Sequence, residues 1–282
     1  MAEGEFFRAV SPQEAAGLLA QHGEAARVLA GGTDLMVAVN KRAFKPQVLI
    51  YLGDAGMDGI SQEGDSLLIG AATPLNQILD SSLVAEKAPL LAAAIKQMAS
   101  PAIRNAGTIG GNLANASPAA DTATPLLALG ASLLLVGAGG EREVVLAEFF
   151  TGPGQSVLAA DEIIAQVKVP AQSAEAKWAY RKVGKRKAQS LSVVSVAIYC
   201  PLSGGKVDGA AIALGAVAPT PLLATEAAAL LQGKALDEEN AAAAAKTAAE
   251  ATSPIDDARG TAWYRKRASE AVVKQLLTEL AG

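Results

Sequence analysis

Between residues 11 and 51 the apolar positions change spacing twice. Ser11-Pro12-Gln13-Glu14 has the form of a capping box, with proline at the first helical position, where a missing N–H costs nothing. A helix is predicted from there to Gly23, a residue suited to the left-handed backbone that ends helices. Residues 26–30 form a short apolar run and predict a buried strand. Gly31-Gly32 breaks it, helical spacing resumes from Asp34 to about Arg42, and 48–51 predict a second strand. This is a βαβ-like unit of about 50 residues.

A second region begins near Gly53. Residues 59–62 and 66–71 flank a Glu-Gly-Asp turn and predict a hairpin. Thr73-Pro74 predicts the start of a short helix, and 89–99 predict a longer one. The Gly- and Asn-rich stretch 100–121 breaks every regular period. A helix is predicted over 122–129, and strands over 131–136, 143–146 and 162–169. Residues 170–176 are polar and aperiodic, which places a domain boundary there. Strands are predicted over 177–183, 191–200 and 209–217, followed by helices over 224–232, 237–251 and 261–280. Strands followed by helices predict a sheet with helices on one face. The class is α+β, divided at 1–53, 54–170 and 171–282.

Composition narrows the chemistry. Of the 282 residues, 51% are hydrophobic and 18% charged, as in a packed globular protein, and only 4% are aromatic. The net charge of −4 speaks against a nucleic-acid binder. One cysteine (Cys200) and one histidine (His22) cannot build a Cys/His zinc site, hold an iron–sulfur cluster, form an internal disulfide or complete a Cys/His catalytic set. The lone cysteine is expected to be a buried apolar residue of a protein in the reducing cytoplasm. The opening MAEGEFF has no basic segment followed by an apolar one, and no run is long and apolar enough for a membrane span.

Two segments carry candidate chemistry: Ala30-Gly31-Gly32-Thr33-Asp34-Leu35 and Thr108-Ile109-Gly110-Gly111-Asn112. Adjacent glycines let a backbone approach an anion and aim several N–H groups at it. The first pair precedes a helix, whose N-terminal amides add positive partial charge. Two such loops would grip a diphosphate from opposite sides. Tight turns explain either pair alone. Neither matches G-x-G-x-x-G or a P-loop, so the residues by themselves point only to a phosphate-bearing cofactor.

These motifs resemble the FAD-binding subunit of molybdenum hydroxylases, the family of carbon monoxide dehydrogenase and xanthine dehydrogenase. The resemblance spans nearly the whole chain. It rests on AGGTDL at 30–35, RNAGTIGGNLANASPAAD at 104–121, LGAVAPTP at 214–221 and DDARGTAWYR at 256–265. It implies a two-subdomain, PCMH-like FAD-binding domain, then a C-terminal α+β domain with a small antiparallel sheet. It implies FAD contacts at Leu29, Ala30 to Leu35, Met98 and Thr108 to Asn112. Asp121 would contact the adenosine half, with a helix N-cap as its alternative role; Ile164 would lie near the cofactor. Lys182 would reach the flavin side, with Arg181 as the alternative.

The implied activity is electron transfer. Electrons would come from 2Fe–2S clusters on a small subunit, after substrate oxidation on a large molybdopterin subunit, and leave to NAD or a quinone. The complex would be a dimer of heterotrimers. The sequence has no cysteine-rich insertion of the kind that holds an extra cluster in some relatives. Asp34 stands where carbon monoxide dehydrogenase relatives tend to have serine, which points away from carbon monoxide. The rival reading is a stand-alone FAD oxidoreductase, for which no substrate base presents itself; a scaffold with degenerate loops is the other. Arg181, Lys182, Lys185, Arg186 and Lys187 form a basic cluster suited to a solvated hairpin tip or a cofactor- or partner-facing edge. Trp263 and Tyr264 suit either a core or an interface.

Overall fold

A computed structural model describes residues 4–186 and 189–282, so Met1 to Glu3 and Lys187 of the basic cluster lie outside the described residues. The chain builds three principal sheets. The first is parallel, with Val48–Tyr51 between Glu5–Arg8 and Ala26–Leu29. Helix Pro12–His22 packs on it through Ala15, Ala16 and Leu19. The reciprocal cap predicted at its start forms one residue out of place. Ser11 Oγ accepts from Glu14 N at 3.1 Å, but Glu14 Oε2 accepts from Val10 N at 2.7 Å instead of from Ser11. Gly23 ends the helix at φ +51°. The edge strand Glu5–Arg8 escapes prediction because EFFR shows no alternation; pairing with Val48–Tyr51 creates it.

The second sheet is antiparallel. Its order is Ile60–Glu63, Ser66–Gly70, Ile163–Val169, Ser132–Gly137, Gly140–Val145. The first two strands are the predicted hairpin, turning at Gly64 (φ +57°). Between Ser66–Gly70 and Ser132–Gly137 the chain lays down short helices, whose Leu90, Leu91, Ile95, Leu113 and Leu126 are fully buried against this sheet. Residues 100–121 are more regular than expected, for they contain helices Pro101–Ala106 and Ile109–Ala114. At six residues each, these are too short to show a period. Their caps are what mark them: Ser100 Oγ accepts from Ile103 N at 3.3 Å and Thr108 Oγ1 from Gly111 N at 3.1 Å.

The third sheet is antiparallel, in the order Lys177–Gly184, Ser192–Cys200, Ala211–Gly215, Leu222–Leu223. Helices Glu238–Glu250 and Ala262–Ala281 cover one face, meeting Val194, Val196, Ile198 and Cys200. The expected helices on one face are those of this domain, and the sheet's other side packs against the second region. There Ala197, Ala213 and Tyr180 join the core of the second region, and Thr124 Oγ1 of helix Ala123–Ala128 lies 3.2 Å from Ser195 Oγ. A strand buried on both faces reads as a nearly continuous apolar run, which in SVVSVAIYC only Ser195 interrupts after the opening Ser192. Among the described residues, no helix is long and apolar enough to cross a membrane.

Candidate functional site

A cavity of about 950 Å³ opens between the first sheet, the short helices of the second region and residues 189–191. That is near the top of the range of roughly 300–1,000 Å³ usual for small-molecule and cofactor sites. Both glycine motifs line it. Ala30, Gly31, Gly32, Thr33, Asp34 and Leu35 come from the first, and Thr108, Gly110, Gly111 and Asn112 from the second. Met98, Asp121 and Ile164 line it as well. Three expected residues do not. Leu29 ends the strand Ala26–Leu29, Ile109 is fully buried in the core, and Lys182 reaches the site only through Asp121.

The first loop leaves its strand with Gly32 at φ +70° and enters helix Leu35–Asn40. Among the described residues, the amides of Gly31, Gly32, Thr33 and Asp34 donate to no protein acceptor. Successive unpaired amides of this kind form a concave anion site. Gly31 is required by a close approach: a Cβ there would sit 1.7 Å from the Ala106 carbonyl oxygen. The first loop therefore abuts Ala106 and Gly107, which lead directly into the second.

The second loop behaves differently from expectation. Its amides are spent on the protein: Ile109 N donates to Thr73 O at 3.2 Å, Gly110 N to Ala71 O at 2.8 Å, Gly111 N to Thr108 Oγ1 at 3.1 Å and Asn112 N to Thr108 O at 3.0 Å. Gly110 is a packing residue, since a Cβ there would lie 2.6 Å from that of Ala71. Gly111 opens to the cavity, with only Thr108 Oγ1, at 3.0 Å, within 4 Å of an added Cβ. What this loop offers is a bare surface at Gly111 and side-chain donors. Thr108 keeps its hydroxyl proton. Asn112 Oδ1 accepts from Thr122 Oγ1 at 2.6 Å, which leaves the Asn112 amide nitrogen to donate.

Asp121 is 7% exposed and lies where the cavity meets the third sheet. Lys182 Nζ donates to its Oδ2 at 2.6 Å and Ser192 Oγ to its Oδ1 at 2.7 Å. It is not a helix cap, because Thr122 occupies the N-cap position of Ala123–Ala128 and makes no side-chain capping bond. Asp121 and Lys182, expected at the adenosine and flavin halves of the cofactor, are in direct contact with each other. Arg181 pairs with Glu279 at 3.0 Å instead of facing the cavity. Burial pushes the Asp34 carboxyl above its ordinary range, and burial followed by the nearby Asp121 charge pushes the Tyr180 phenol well above its own.

Sequence reasoning missed the apolar wall, which includes Leu52, Met57, Leu75, Leu158 and Ile163, and missed Arg27, whose guanidinium lies 5.5 Å from the centroid of the Phe44 ring. Long-range folding assembles that wall, and no local motif announces it. The two remaining motifs turn out to be structural. Arg265 is 1% exposed and donates to Ala216 O at 2.6 Å and Asp257 Oδ1 at 2.5 Å. LGAVAPTP and DDARGTAWYR thus meet at one buried guanidinium.

The fold and site together define a flavoprotein module. The profile described as the FAD binding domain in molybdopterin dehydrogenase matches residues 2–172, and that of the CO dehydrogenase flavoprotein C-terminal domain matches 178–280. The carbon monoxide dehydrogenase medium chain of Hydrogenophaga pseudoflava is 36% identical, over 97% of this chain and 95% of that one. The xanthine dehydrogenase FAD-binding subunit of Escherichia coli O157:H7 is 31% identical, over 97% and 94%. Among solved structures, carbon monoxide dehydrogenase from H. pseudoflava superposes with a TM-score of 0.95 at 36% identity, covering 99% of this chain and 97% of that one. Quinoline 2-oxidoreductase from Pseudomonas putida 86 gives 0.92 at 30%, covering 99% and 96%. The chain belongs to the FAD-binding medium-subunit family of molybdenum hydroxylases. Its cofactor is FAD, and its class is oxidoreductase.

Proposed function

We propose that this chain carries the FAD of a three-subunit molybdenum hydroxylase, accepting electrons from 2Fe–2S clusters on a small subunit and passing them to an external acceptor, NAD or a quinone. A large molybdopterin subunit would oxidise the substrate, and two heterotrimers would pair. The observation that carries this reading is the first loop, where residues 31–34, whose amides have no protein acceptor among the described residues, line a cavity shared with Gly111.

The residues suit the cofactor. The amides of Gly31 to Asp34 would bind the diphosphate, with Thr108 and Asn112 donating from the opposite side. The apolar wall would exclude water from the rest of the molecule. Asp121 and Lys182 present an acceptor beside a donor, and we assign them to the isoalloxazine end together with Ile164. FAD, when bound, supplies the one- and two-electron chemistry; the chain binds and orients it. We propose domains 1–53, 54–170 and 171–282, and a cytoplasmic location, in keeping with a buried free thiol at Cys200. A stand-alone oxidoreductase would need its own substrate base. Of the three carboxylates at the cavity, Asp121 is held by Lys182 and Ser192, Glu162 by Arg142 at 2.6 Å, and Asp34 belongs to the loop assigned to the diphosphate.

The test is purification of the tagged chain with its assembled partners. We expect stoichiometric FAD with iron and molybdenum. FAD with substrate turnover by the isolated chain would favour the stand-alone enzyme, and a colourless protein after FAD addition would end the flavoprotein reading.

A further inference from the structure

Met98, Ala99, Ser100 and Ile103 form one stretch of the cavity lining, where helix Pro89–Lys96 gives way to helix Pro101–Ala106. Ala99 takes φ +48°, in the left-handed region that an alanine rarely adopts. Strain of this kind persists only where the surroundings hold it, and beside a ligand site it points to function. The hold comes from Arg104 in the following helix. Its Nη1 donates to Met98 O at 2.8 Å and to Ala99 O at 3.4 Å, and its Nε donates to Asn76 Oδ1 at 2.8 Å. Asn76 lies on helix Leu75–Leu79, and its Nδ2 donates in turn to Asn105 Oδ1 and, at 3.5 Å, to Pro101 O. Arg104 is half-buried and does not line the cavity. Among the described residues it pairs with no carboxylate. The other end of its helix meets the first glycine motif. A Cβ added at Gly31 would strike Ala106 O, and one added at Gly107 would lie 3.3 Å from Thr33 Oγ1. Helix Pro101–Ala106 therefore carries the 98–100 turn at its start and abuts the diphosphate loop at its end.

We propose that Arg104 is a positioning residue of the FAD site. It fixes the 98–100 turn in its left-handed form, so that Met98 and Ala99 present a set wall to the cofactor while their carbonyl oxygens stay bonded to the guanidinium. The inference rests on this cavity being the FAD site. A guanidinium suits the task because its planar fork reaches acceptors on two segments at once, whereas an ammonium is a point charge on a flexible stem. Without the fork, two carbonyl oxygens lose their partner beside a site meant for an anion, and Ala99 is free to relax out of its strained φ.

The test uses the full chain, stripped of flavin and titrated with FAD, with thermal melting and the visible circular dichroism of the bound flavin recorded on the same samples. Arg104→Met should melt close to the unsubstituted chain, bind FAD about tenfold more weakly and alter the visible dichroism. The loss should be the same at low and high salt, because it comes from geometry and not from charge. Adding Ala99→Gly to Arg104→Met should bring the affinity back to within about threefold of the original and restore the dichroism, because glycine takes a positive φ without strain. Unchanged affinity in Arg104→Met overturns the proposal. So does a loss that salt abolishes, which would make Arg104 a distant charge. A double variant no better than Arg104→Met also overturns it, since disturbed packing would then explain the weak binding. Should Arg104→Met fail to fold, Arg104→Lys decides: weakened binding supports the fork, and normal affinity overturns it. An unsubstituted chain that takes up no FAD would overturn the site assignment together with the proposal, whereas normal uptake there and in Arg104→Met would sink the proposal alone.

Discussion

Two glycines of the motifs meet different surroundings, and substitution should separate them. Gly31→Ala drives a methyl group into the Ala106 carbonyl, so the loops must part and stability should fall by about 1–3 kcal/mol along with cofactor binding. Gly111→Val meets only the Thr108 hydroxyl, at 3.0 Å, which must give by a few tenths of an ångström, while the cavity loses space. We expect a near-normal melting temperature with FAD affinity reduced about tenfold or more, read by flavin fluorescence titration. Normal affinity in Gly111→Val would remove the second motif from the site. At Asp257, the Arg259 guanidinium, helped by Arg265, holds the carboxyl well below its ordinary range. Its folded pKa is depressed, so its stabilisation is complete above about pH 4 and is lost as pH falls toward the folded value. Asp257→Asn leaves the buried Arg265 without its counter-charge and should cost about 3 kcal/mol near pH 7. The gap from the unsubstituted protein should close under acid denaturation; a gap independent of pH would show that charge is not the cause.

Between elements, the buried Asp121 joins the end of helix Ile109–Ala114 and the start of helix Ala123–Ala128 to the two strands that bear Lys182 and Ser192. Asp121→Leu strands an ammonium whose side chain is 7% exposed and should lower the urea midpoint by the equivalent of about 3–5 kcal/mol. Pairing it with Lys182→Met should restore most of that loss, because an apolar pair replaces an ionic one. Equal losses in the single and double variants would contradict this account. Elements of this kind divide what sequence could predict from what it could not. The cap at Ser11, the turn at Gly64 and the apolar run of Ser192–Cys200 announce themselves through local chemistry. Helix Ser82–Lys87, held by Ser81 Oγ accepting from Val84 N at 3.3 Å, is too short for a period to emerge. The glycine motifs located the cavity because backbone freedom is written in the residue type. Which amides stay open is not, because Thr73 and Ala71, which occupy those of the second loop, arrive from a distant strand end.

For the whole molecule, strand Ser192–Cys200 is the seam: helices of its own domain cover one side and helix Ala123–Ala128 the other. A chain ending at residue 171 would bare Leu126 and its neighbours, and we expect it to aggregate or to bind a hydrophobic dye that the full chain ignores. A soluble, monomeric fragment with native circular dichroism would contradict that. The two stretches that match separate family profiles are therefore not interchangeable parts. Grafting the rear module of one relative onto the front of another should succeed only where the small residues along this seam, Thr124, Ser195 and Gly215, are carried over together.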